Sequence, residues 1–266
     1  MMLHALRSEL TRSRRPGVLG AWFGLTALFA VMIVVVIFQL STDPAGAPAA
    51  GPGVAFPSVE TLESARGIMA PLAAASSMFG IVALAFWAVL TAADHSTGLV
   101  RLLVAAQPRR WKLVVGKVGA LALWTAAATT VAMLVDLLAA PVVGGTSDLD
   151  LTAWGTDTVA VVVGAWIDLF LALLVWGMIG LVLAVVTRSA AVAVSVGAGW
   201  VLVVESVLTA AFDGLRDWLP GSTISALAAG GNDVLSYGTA LALGAAYVMV
   251  CLVITLVVFA RRDITD

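Results

Sequence analysis

Three carboxylates, Asp136, Asp168 and Glu205, stand inside long apolar runs. A carboxylate in hydrocarbon is costly, and by default it serves an ion, a proton or a polar substrate. Asp168 lies deepest, roughly 15 Å from the start of its run at 1.5 Å per helical residue, and Glu205 sits roughly 22 Å into the next. Asp136 falls close to the end of its own run. None of these runs has a Lys or Arg in its interior, so the acids are expected to lack a basic partner. Two readings stay open: a carboxylate-lined path that favours cationic or amphipathic molecules, or acids that line a hydrated funnel and hydrogen-bond structurally. Enzyme chemistry has little to work with. The two histidines, His4 and His95, stand outside the apolar runs, and Cys251 is the single cysteine. The chain has no H-E-x-x-H, no G-x-S-x-G and no G-x-x-x-x-G-K-[ST], so it offers no zinc, acyl-transfer or ATP-phosphate cradle of its own. Any energy source is expected to be another subunit or an ion gradient.

The second concentration of chemistry is the polar stretch Asp94–Lys117. It carries Arg101, Arg109, Arg110, Lys112 and Lys117, five of the fourteen Lys and Arg residues. Leu99, Leu102, Leu103 and Ala106 recur at i, i+3, i+4 and i+7, which places four apolar side chains on one helical face. Ser96 or Thr97 can cap such a helix and Pro108 can end it. A short one-faced helix docks either on a partner protein or on lipid headgroups.

The elements that hold these residues are membrane spans. The chain is 61% hydrophobic and 11% charged, with mean hydropathy +1.06. Six segments reach the roughly 20 residues a bilayer requires: Val18–Leu40, Gly67–Ala92, Leu113–Ala140, Thr158–Val186, Ala190–Ala211 and Tyr237–Ala260. The expected fold is an all-α membrane protein in one domain over 1–266. Twelve of the fourteen basic residues fall on one side of these spans, with only Arg66 and Arg216 opposite. The positive-inside rule then predicts cytoplasmic N- and C-termini. Trp22 and Trp111 near one face, and Trp154 and Trp218 near the other, suit aromatic belts.

Residues 1–17 read as an amphipathic elbow, with Leu3, Leu6 and Leu10 on one face and Pro16-Gly17 breaking the chain before span one. A cleaved signal peptide is the competing reading, but the following apolar run exceeds the usual 7–15 residues. Gly20-x-x-x-Gly24, Ala193-x-x-x-Gly197 and Ser195-x-x-x-Gly199 are small-residue pairs that let helices approach closely, within the chain or between copies. Twelve Arg against two Lys, with abundant Ala, Val and Gly, is the composition of a GC-rich bacterial genome. Nothing points to nucleic acid.

Taken together, the chain resembles the permease subunits of ATP-binding cassette (ABC) type-2 exporters. The resemblance rests on the basic N-terminal segment, six spans, and the order of features over the loop 94–112 and on to Lys117. These are the acid Asp94, the small pair Thr97-Gly98, the helix Leu99–Ala106 with Arg101, the turn Pro108-Arg109-Arg110, and Lys117 opening span three. The outer segment 212–236, with DGLRDWLPGSTISALAAGGNDVLS at its heart, and the closing F-A-R-R-D-I are also similar. The family implies a coupling helix around Leu99, Leu102 and Leu103 seated on a separate ATPase subunit. It also implies short re-entrant helices before span six and a homodimer facing through spans one and five, at Gly20, Gly24, Gly197 and Gly199, although a permease heterodimer looks the same from one chain. ATP and Mg would be bound by two ATPase copies, none by this chain, in a bacterial plasma membrane. The cargo implied is a hydrophobic or amphipathic drug, peptide or lipid. An ion-coupled carrier using Asp168 and Glu205, and a non-transporting scaffold, remain the alternatives.

Overall fold

The computed structural model describes residues 2–41, 56–96, 110–147, 149–155 and 157–261. Among them every regular element is helical, and six helices are long and apolar enough to cross a membrane. The protein is a multi-pass membrane protein. In chain order the helices are α1 (Met2–Ser13), α2 (Pro16–Ser41), α3 (Val59–Glu63), α4 (Ala70–Ala74), α5 (Ser76–Ser96) and α6 (Arg110–Gly144), followed by α7 (Thr158–Thr187), α8 (Ala190–Gly199), α9 (Glu205–Ala211), α10 (Pro220–Ala229) and α11 (Tyr237–Arg261). A five-residue π turn, Trp200–Val204, joins α8 to α9 within the fifth span.

Several expected boundaries move. Pro16 does not break the chain before span one; it opens α2, where its missing N–H is one the helix leaves unpaired anyway. The interruption falls at Arg14–Arg15, and the Arg15 carbonyl accepts the Leu19 N–H at 2.9 Å. Span three runs past Ala140 and through Pro141 to Gly144, since a proline there leaves only one carbonyl of the preceding turn without its donor. Span two is not one rod from Gly67. A 3-10 turn at Gly67–Met69 and the short α4 precede a break at Ala75, and the spanning helix starts at Ser76.

Spans two and four form the centre. About two thirds of their apolar windows are buried inside the protein (67% and 61%), against 22% for span five and 11% for span six. Their contact is an interlock of tryptophan and glycine. A Cβ on Gly80 would stand 2.1 Å from the Trp176 ring, and one on Gly177 would stand 2.4 Å from the Trp87 ring. At Gly180 a Cβ would meet the Leu84 carbonyl oxygen at 2.4 Å, so the two backbones themselves touch there. Trp87 donates its indole N–H to Thr125 Oγ1 at 2.9 Å, which adds span three to the pair. Trp22, expected in an interfacial belt, is instead buried and stacked on Phe86 with ring centroids 4.5 Å apart. Trp154 is likewise buried, donating to the Leu62 carbonyl at 2.8 Å. An indole that finds a partner inside is no longer held at the interface. Trp111 and Trp218 are exposed.

The outward faces of spans five and six carry exposed Val196, Val203, Val207, Met249, Val253 and Val257, the apolar coat a lipid-facing helix needs. Because Gly180 meets backbone, Gly180→Val should destabilise the chain by about 1–3 kcal/mol, the usual cost of overpacking. Gly20→Ala, at a site with nothing within 4 Å of the added carbon, should change little. Thermal unfolding of the purified variants in mild detergent checks both.

Candidate functional site

At the end of the bundle bearing the 97–109 segment, α1 packs along α6. Leu6 lies against Gly119, where an added Cβ would sit 3.2 Å away, and Trp124 donates its indole N–H to Ser13 Oγ at 2.8 Å. Lys117 on α6 reaches back to α5, donating to the Leu90 carbonyl at 3.1 Å and pairing with Asp94. Glu9 of α1 is buried beside this pair and binds Arg12 one turn on. The last turn of span two, the second turn of span three and the N-terminal helix therefore share one cluster of four charges. Burial pushes the Glu9 carboxyl above its ordinary value; Lys117 and Arg12 oppose that shift, and Asp94 adds to it. Thr97, Gly98, Leu99, Arg101, Leu102, Leu103, Pro108 and Arg109 lie outside the described residues, and Arg110 opens α6.

The far end is organised around α10, a ten-residue helix packed on α4, α5, α7 and α11. Its first position is Pro220, which has no N–H to satisfy. The next N–H groups meet Glu205, which stands just after the π turn: Oε1 accepts the Ser222 N–H at 2.9 Å. The carboxylate lies so close to Gly221 that a Cβ there would be 2.6 Å from it. The C-terminus of α10 closes on Gly230 and Gly231, at φ +74° and +103°. Gly231 N–H bonds to the Ala226 carbonyl at 2.7 Å and Gly230 N–H to that of Leu227 at 3.2 Å, the double-bonded cap that left-handed glycines allow.

That cap leaves the Ala229 carbonyl free, and Arg66 takes it at 3.0 Å. The same guanidinium pairs with Asp168 Oδ2 at 3.0 Å, while Tyr237 donates to Asp168 Oδ1 at 2.7 Å. Asp168 is thus not without a basic partner. Hydropathy puts Arg66 outside the second span, and so it is, but its long side chain reaches the carboxylate from the segment before the Ala75 break. An anion stands at the N-terminus of α10 and a cation at its C-terminus, each where the helix dipole favours it.

Of the three acids, Glu205 and Asp168 flank opposite ends of a helix about 15 Å long. Asp136 joins neither; it is fully buried on α6, and both of its oxygens lack a partner among the described residues. None of the three is among the described residues lining a far-end cavity of about 350 Å³, in which Arg66 is the basic residue among the described lining. The small residues divide too. Gly197 packs inside the chain, where an added Cβ would be 2.5 Å from Leu84, while Gly20, Gly24 and Gly199 have open space above them.

Residues 27–265 match a family described as protein of unknown function (DUF2705). The chain belongs to the DUF2705 family. No curated protein matches it. The matched stretch takes in Asp94 and Lys117, Arg66 and Asp168, and Glu205 with α10, so the DUF2705 domain contains the residues of both ends except those of α1.

Two outcomes follow for this DUF2705 protein. Arg66→Met strands a buried carboxylate with Tyr237 alone, and should lower stability by about 1–3 kcal/mol, less than for a fully buried pair because Arg66 is half exposed. Adding Asp168→Leu to that variant should recover part of the loss in thermal unfolding. For Glu9, the folded chain holds its proton above the ordinary 4.5, so this contribution is complete below that value and declines as pH rises from it through the raised one. Glu9→Gln should flatten that decline in melting curves recorded from about pH 4 to about pH 7.

Proposed function

We propose that this protein is the membrane-spanning subunit of an ABC type-2 exporter, moving a hydrophobic or amphipathic molecule outward on ATP hydrolysed by a separate subunit. In this reading both termini face the cytoplasm of a bacterial cell, and two copies assemble with two ATPases that hold ATP and Mg. The chain itself is not an enzyme. The observation that carries the reading is the Asp94–Lys117 pair, with Glu9 beside it. A loop that couples to a motor must pass force to the spans on both sides of it. Here the two helices entering and leaving residues 97–109 are joined by an ion pair at their base, and α1 is seated on the second of them. A push on Leu99, Leu102 and Leu103 would then move spans two and three together. Burying those leucines in a partner groove would contribute several kcal/mol at about 25 cal/mol per Å², with Arg101 and Arg109 on its rim. α1 acts as the elbow helix and α10 as the short outer helix of such permeases.

One observation favours an ion-coupled carrier instead, the buried Asp136, which has no partner among the described residues. Such a carrier would lose transport in Asp136→Asn and have no ATPase partner.

A gentle-detergent pull-down of the chain from its native membrane, read by mass spectrometry, separates these. The exporter reading expects a P-loop ATPase in stoichiometric amount, and expects Leu102→Asp to lose it while the chain stays folded. Absence of any ATPase from a folded wild-type chain would remove the exporter reading.

A further inference from the structure

The far-end cavity has a composition the export reading does not use. Its long wall is apolar, formed by Met69 and Leu72 before and within α4, Met133 on α6 and Leu169 on α7. One side of it is polar, with Arg66, Asn232, Thr61 and Ser64. Arg66 is half exposed on this side. Its guanidinium has five N–H donors, of which two are directed at Ala229 and Asp168, so three remain among the described residues. Asn232 turns its Oδ1 to the Val234 and Leu235 N–H groups, which leaves its amide NH₂ as a further donor. The polar side is therefore rich in donors.

Its charge is already balanced. The Asp168 carboxylate is almost fully buried against Arg66, so the pair is neutral as a unit. An anionic head would bring a second negative charge beside Asp168, and a cationic head would face Arg66; either costs energy in a partly desolvated site. A head with carbonyl or hydroxyl oxygens and no net charge meets the donors at no such cost.

The volume sets the body. About 350 Å³ lies at the small end of the ~300–1,000 Å³ range of ligand sites. At the ~30 Å³ a water occupies in the liquid, it holds on the order of a dozen non-hydrogen atoms, one alkyl chain rather than two. Two methionines in the wall let the lining adapt to such a chain.

We propose that this cavity binds a single-chain amphiphile with an uncharged, acceptor-rich head placed at Arg66 and Asn232 and its chain between α4, α6 and α7. The site concerns binding alone and stands whether or not the chain exports what it binds.

The test uses the purified full chain in lipid nanodiscs, without ATP or a partner, and three radiolabelled probes that share an eight-carbon chain: 1-octanoylglycerol, octyl phosphate and octyltrimethylammonium. Binding is measured over empty nanodiscs. The glyceride should saturate one site per chain, with the ammonium at least tenfold weaker. Ala73→Phe, which fills the cavity and leaves Arg66 and Asp168 paired, should raise the glyceride Kd more than tenfold at unchanged melting temperature. Ala165→Leu, on the facing wall, serves if that variant misfolds. Tighter binding of octyl phosphate than of the glyceride would overturn the neutral-head assignment. Equal binding of all three probes, or an unchanged Kd in the filled variants, would overturn the site. None of these readings involves an ATPase, so an exporter that fails its own test leaves this one standing.

Discussion

The close approach of spans two and four is the constraint on which the rest of the molecule is built. In lipid there is no hydrophobic force pulling one apolar helix onto another, so packing and interhelical hydrogen bonds must do it. Two tryptophans enter two glycine notches in opposite senses, Trp87 over Gly177 and Trp176 over Gly80, and Gly180 rests on the Leu84 backbone. A tryptophan set in a notch fixes both translation and rotation of its helix, which leucines sliding along a face would not. That registry decides where Asp168 stands on span four and where Asp94 stands on span two. Spans five and six, by contrast, are enclosed on one side only; they pack on spans two and four and are tied further by what they carry.

What they carry is α10. A ten-residue helix would be marginal alone in water, and here it is held by partners on other elements. Glu205 on span five takes the Ser222 N–H at one end, and Arg66, from the segment before span two, takes the Ala229 carbonyl at the other. Asp168 orients Arg66, and Tyr237 at the start of span six completes Asp168. Four elements far apart in sequence thus meet on the two ends of one short helix. The carboxylates in the fifth and fourth spans are accounted for by this arrangement, which leaves Asp136 as the acid without a structural partner among the described residues.

The six spans were legible in the sequence because twenty apolar residues admit few other fates. What hydropathy could not show was side-chain reach. Hydropathy leaves Arg66 outside the spans, and its pairing with Asp168 follows from a long side chain on a segment that turns inward, a tertiary fact with no local signal. The break at Ala75 was hidden for a similar reason, since an Ala-rich run is as apolar bent as straight. Pro16 misled because a proline's meaning depends on its place in the turn: at the first helical position it ends nothing. Trp22 and Trp154 misled because an indole suits an interface or a buried hydrogen bond equally well. The π turn before Glu205 had no composition of its own, yet it sets the facing of the carboxylate that caps α10.

Span two is where the two ends of the molecule meet. At one end it carries Asp94, paired with Lys117 and beside Glu9; at the other it begins at the Ala75 break, after the segment that supplies Arg66. Between them it is locked to span four through Gly80, Leu84 and Trp87. A helix held that firmly along its middle cannot bend there, so a tilt imposed at Asp94 would pivot on the glycine notches. Any displacement at the far end would be taken up at Ala75, the first residue outside the rod. Ala70, Leu72 and Ala73, which line the 350 Å³ cavity, lie just beyond that residue. The wall of the cavity next to the break is therefore the part of it that motion of span two would reach first.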